Sequence, residues 1–145
     1  MSLNNKDLAK YHFNGAKIRL ETAENVINKK AYAYCVRQCQ EAVELSLKAA
    51  LRLLGIDFPK WHDVSEVFVS EKDRFPDFFQ NNIPKIASIS KSLASKRELA
   101  MYGDEERKKS PLDIFNKKIA DEALKNAKFC REQVENLFEL FFKTK

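Results

Sequence analysis

Apolar residues spaced alternately four and three apart place the strongest limit on how this chain can fold. Ala9, Phe13, Ala16, Leu20, Ala23 and Ile27 recur in this way, while Lys10, Lys17, Arg19, Glu21 and Glu24 fall between them. A helix puts the first set on one face and the second on the other, so residues 5–28 are predicted as an amphipathic helix of about six turns. The period returns three more times. In residues 31–55, Cys35, Cys39, Val43, Leu47 and Leu51 share a face with Ala42, Ala49 and Leu53 beside it, which predicts the most buried helix. A third helix starts at Pro84, whose missing N–H costs nothing there, and Ile86, Ser90, Leu93, Arg97 and Met101 form its inward stripe. The fourth opens with Ser110 as cap and Pro111 next, and its stripe is Phe115, Ile119, Ala123, Ala127, Cys130, Val134, Leu137 and Phe141.

Gly55 and Pro59 stop the second helix. Asp63 followed by Glu66 resembles a capping box and predicts a short helix over 64–69, with another brief one over 77–80. Residues 102–109 lack apolar periodicity and read as an exposed, charged connection. The expected fold is all-α: one domain over 1–145, an antiparallel four-helix up-and-down bundle with one or two short extra helices in the middle connection. Three glycines and four prolines in 145 residues argue against a turn-rich β protein. No apolar run reaches membrane-spanning length and the start lacks a signal-peptide pattern, so a cytoplasmic protein without membrane association is expected. Leu124, Phe138, Leu140 and Phe142 are apolar beyond the last stripe and predict a homodimer.

Charge narrows the chemistry only slightly: 26 Lys and Arg against 21 Asp and Glu leave +5, which permits polyanion binding without requiring it. No Gly-rich phosphate loop, nucleophile elbow or His-Glu-x-x-His helix is present. Cys35 and Cys39 stand one turn apart, but Cys130, His12 and His62 do not complete a zinc set at finger-like spacing. Reduced, packed thiols are expected, with no metal and no cofactor. His62 beside Asp63 is placed for acid–base work, yet a capping Asp63, a locally bonded His62 and a packed Trp61 account for the same residues. Arg97 is more informative. A guanidinium on an apolar stripe is costly to bury alone and calls for an acidic partner, such as Glu41 or Glu44, a wet cleft, or an anionic ligand. Tyr102 lies about 140° round the helix from Arg97. The two converge only if the helix ends near Met101, which Gly103 allows.

Asp7-Leu8-Ala9-Lys10 forms the first of four notable blocks, and Ala31-Tyr32-Ala33-Tyr34 with Gln38, Glu41-Ala42 and Leu47-Lys48-Ala49 forms the second. Gly55, Pro59-Lys60 and His62-Asp63-Val64 form the third, and Arg97 with Tyr102-Gly103-Asp104 the fourth. Together they resemble the HEPN domain, a helical domain named for its occurrence in higher eukaryotes and prokaryotes and linked to nucleotide binding. The resemblance implies a helical homodimer that binds nucleotide or RNA and acts with a separate small nucleotidyltransferase in a toxin-antitoxin-like pair. It implies a phosphate grip at Arg97, a hydrogen bond or stacking at Tyr102, and Lys96 and Asp104 beside them. Some members are metal-independent ribonucleases with an Arg-x4-6-His motif shared across the dimer. Here the allowed positions hold Tyr102, Gly103 and Asp104, and no histidine follows Arg97. A phenol with a pKa of about 10 is a poor base. No catalytic residue is therefore assigned. The alternatives are a ribonuclease with a degenerate motif and a non-catalytic interaction module.

Overall fold

A computed structural model describes residues 5–60 and 63–142, so the expectations for Trp61 and His62 lie outside the described residues. The architecture is all-helical, with no strand among the described residues. Helix α1 spans Asn5–Ile27 and buries Ala9, Ala16, Leu20 and Ala23, a face of mostly small side chains that lets the next helix come close. Helix α2, Tyr32–Leu53, is the centre of the molecule. It packs against α1 and against the two long helices that follow, α5 (Ile83–Tyr102) and α7 (Lys117–Phe142). That is why its sequence is apolar on more than one side: Val36 and Leu47 are as buried as Cys39 and Leu51. It stops as its residues dictate, with Gly55 at φ 70° and the Ile56 N–H donating to Leu51 O at 2.8 Å.

The middle connection carries α3 (Ser65–Ser70), a 3-10 turn (Lys72–Arg74) and α4 (Asp77–Gln80). Phe68, Phe75 and Phe79 stack there with centroids 4.7 to 5.8 Å apart, a satellite core that fixes the connection against the bundle. Asp63 does part of the expected capping work, accepting the Ser65 N–H at 3.0 Å. The reciprocal half of the box is missing, because Glu66 faces Lys91 at 3.8 Å instead.

Three expectations need correction. The last helix is not continuous from Pro111. A short α6 (Pro111–Ile114) is closed by an Asp113 carboxylate that accepts the Ser110 N–H at 2.9 Å. The chain then extends at Phe115 (φ −102°, ψ 136°) to bury that ring, and Asn116 caps α7 by accepting the Ile119 N–H at 2.9 Å. Second, Phe141 is exposed and Phe138 takes the inward place, stacked on Phe13 of α1 with centroids 4.4 Å apart. Third, the α5 stripe does not stay inward to its end: Ile86, Ser90 and Leu93 are buried, but Arg97 and Met101 are exposed and Ala100 takes the inward position. The third correction bears directly on the site.

Cys35, Cys39 and Cys130 are free and buried. Burial pushes the Cys130 thiol up to about 12, and the bond to Cys35 together with burial raises Cys39, so neither is a thiolate nucleophile at neutral pH. No described helix is long and apolar enough to cross a membrane.

Candidate functional site

Gln40, Glu44 and Lys48 follow one another at four-residue steps, so α2 presents them as a polar row on its otherwise apolar surface. The Gln40 Nε2 donates to Glu44 Oε1 at 3.1 Å, and Lys48 Nζ donates to Glu44 Oε2 at 3.0 Å. This row lines a cavity of about 450 Å³, closed by Lys60 and Asp63 from the connection and by Ser90, Ala94 and Arg97 from α5. Asp63 fastens these elements together. Its Oδ1 accepts the Ser65 N–H at 3.0 Å and the Ser90 hydroxyl at 3.2 Å, and its Oδ2 accepts the Ser65 hydroxyl at 2.7 Å.

The cavity therefore holds three cations, Lys48, Lys60 and Arg97, and two carboxylates whose oxygens are already engaged. Arg97 and Lys60 have no ion pair among the described residues. The acidic partners that could have neutralised Arg97 are taken: Glu41 by Arg19 at 3.4 Å, and Glu44 by Lys48. On α1, burial first and then the charges of Arg52 and Lys48 hold the His12 imidazole below its ordinary pKa. What such a cavity favours is an anion with several oxygens, which a guanidinium meets with two parallel N–H bonds.

The other predicted site residues lie elsewhere. Because α5 continues through Tyr102, that side chain is turned away from Arg97 and is 64% exposed. It borders a separate cavity of about 420 Å³ with Glu98, Asp104, Glu105 and Glu106. Lys96 Nζ donates to its own helix at Ser92 Oγ, 2.7 Å, and borders a third, smaller hollow with Glu122 and Asn126. Asp104 is spent on its own turn, accepting the Arg107 N–H at 3.2 Å while its backbone pairs with Lys109. Of the four, Arg97 alone reaches the basic cavity. Gln40, Lys48 and Lys60 were not among the predicted site residues. The signal for Gln40 and Lys48 was a row of polar residues at helical spacing through the most buried helix, while Lys60 in the connection gave none.

Gly103 sets the direction of the turn that follows. It sits at φ 75°, ψ −165°, and a Cβ there would collide with the Lys109 carbonyl oxygen. Gly103→Ala is expected to lower the unfolding free energy by about 2 to 4 kcal/mol in urea titration. A change below about 0.5 kcal/mol would show that the turn relaxes freely.

A HEPN domain profile matches residues 9–137. A Methanocaldococcus jannaschii protein named "Putative toxin MJ1304" is 31% identical over 137 residues, covering 90% of this chain and 88% of the relative. The match takes in most of α1, all of α2, the Asp63 clasp, α5 and most of α7. The all-helical architecture agrees with it, and the chain belongs to the HEPN domain family.

Proposed function

We propose that this HEPN protein is the toxin-like member of a two-component pair, binding nucleotide or RNA through the Arg97 cavity and acting with a separate small nucleotidyltransferase. One observation carries the reading. Arg97 and Lys60 share a cavity with no carboxylate bound to either among the described residues, and an anion completes it. Phosphate fits this demand, since it offers the paired oxygens that a planar guanidinium recognises. The toxin-like role is supported by the name of the Methanocaldococcus jannaschii relative. In this reading α1, α2, α5 and α7 form an antiparallel up-and-down bundle that pairs with a second copy. The exposed Leu140 and Phe141 supply apolar surface for that contact. Tyr102, Lys96 and Asp104 lie outside the cavity and have no part in this phosphate site.

Fluorescence anisotropy of labelled single-stranded RNA tests this. Binding is expected at low salt, with affinity falling steeply as salt rises, because releasing condensed counterions into more concentrated salt gains less free energy. An RNA that leaves the anisotropy unchanged at low salt would remove the basis for the proposal.

A further inference from the structure

We propose that Ser65 and Ser90 keep the anion site open by holding the Asp63 carboxylate away from Lys60 and Arg97. They are positioning residues, and the role rests on the cavity being the phosphate site proposed above. Asp63 lines that cavity together with three cations, yet it forms no ion pair among the described residues. Glu44, in the same cavity, behaves differently and pairs with Lys48 at 3.0 Å. A second pair of that kind, made by Asp63 with Lys60 or Arg97, would cancel the charge that draws a phosphate.

The two serines account for the difference. Ser90 is 8% exposed on the α5 stripe that also holds Ile86 and Leu93, and Ser65 is 0% exposed at the start of α3. A hydroxyl buried in such places is costly unless it finds a partner. Both find theirs in Asp63. The Ser90 hydroxyl donates to Oδ1 at 3.2 Å and the Ser65 hydroxyl to Oδ2 at 2.7 Å, while the Ser65 N–H takes a further place on Oδ1 at 3.0 Å. An ionised carboxylate offers about four acceptor sites, and here three are filled by neutral donors. Its hydrogen bonds are satisfied while neither cation is neutralised. Arg97 follows Ser90 by about two helical turns and lines the same cavity, so it is a ready occupant for any acceptor site that Ser90 vacates.

The test is isothermal titration of the full chain with adenosine 5′-monophosphate, using the wild type, Ser90→Ala, Asp63→Asn and the double variant. Ser90→Ala is expected to weaken binding by about three- to tenfold, as the vacated site on Oδ1 draws in Arg97 or Lys60. Asp63→Asn takes a negative charge out of the anion's cavity and is expected to tighten binding by about two- to threefold. Added to Asp63→Asn, the Ser90→Ala change is expected to cost no affinity, because no carboxylate is left to compete. Ser65→Ala, which vacates Oδ2, is expected to repeat this pattern, so the result does not hang on the folding of one variant. Serines that only support the fold would give the same loss with Asp63 and with Asn at that position. That result, or unchanged affinity in both serine variants, overturns the positioning role and leaves the phosphate site standing. No binding by the wild type overturns both.

Discussion

Arg97→Ala is expected to weaken nucleoside monophosphate binding by about 10- to 100-fold, the value of a hydrogen bond to a charged group. The melting temperature should move by less than about 2 °C, since a surface substitution away from packing or pairing changes stability by only a few tenths of a kcal/mol. The structure gives the reason for this separation. Arg97 is exposed, has no ion pair among the described residues, and belongs to the part of α5 where Leu93 and Ala100 carry the burial. Removing it takes an anion's partner from the cavity and nothing from the core. Arg97→Lys keeps the charge but loses the planar fork, so its affinity should fall between the two. Titration calorimetry beside a thermal melt decides. A fall of 5 °C or more with unchanged affinity would make Arg97 a structural residue and end the phosphate-site reading.

Phe79→Ala is expected to cost about 3 to 5 kcal/mol of unfolding free energy, the range for deleting a fully buried ring. Phe79 is 0% exposed and is held between Phe75 at 4.7 Å and Phe68 at 5.8 Å. In the chain this satellite core lies between Asp63 and Ser90, which are bonded to each other in the cavity wall. Denaturant titration by circular dichroism should therefore show a lower midpoint with an unchanged slope, the mark of one cooperative unit. A shift under about 1 kcal/mol would mean that the middle connection is not part of that unit.

How far the residues disclosed this molecule depends on which neighbours they needed. The faces of α1 and α2 were legible because their apolar steps persist while other helices cover them, and Ala9, Leu20, Cys39 and Leu51 are buried as their spacing requires. Phe115 misled because it fits the α7 stripe by spacing yet is buried from extended backbone. The cap at Asn116 was overshadowed by the stronger start signal at Ser110 and Pro111. Arg97 was legible as an anomaly, but its surroundings were not. Stripe arithmetic assumes a packed neighbour along the whole helix, and α5 meets a cavity there instead. Lys60 and Gln40 reach that cavity from segments remote in sequence, and no local pattern joins them to Arg97. Asp63 was read as a cap, and its bond to Ser90, 27 residues on, needed the tertiary fold to appear.

The five-residue offset between Arg97 and Tyr102 makes α5 a partition with opposite potentials on its two sides. One side carries Lys48, Lys60 and Arg97 against Glu44 and Asp63, the other Glu98, Asp104, Glu105 and Glu106. A helix with its side chains is about 10 Å across, close to the screening length at physiological salt, so the contrast survives in the cell. A polyanionic strand arriving at this helix is drawn to one flank and repelled from the other. The direction of its approach is thus settled before any specific bond forms.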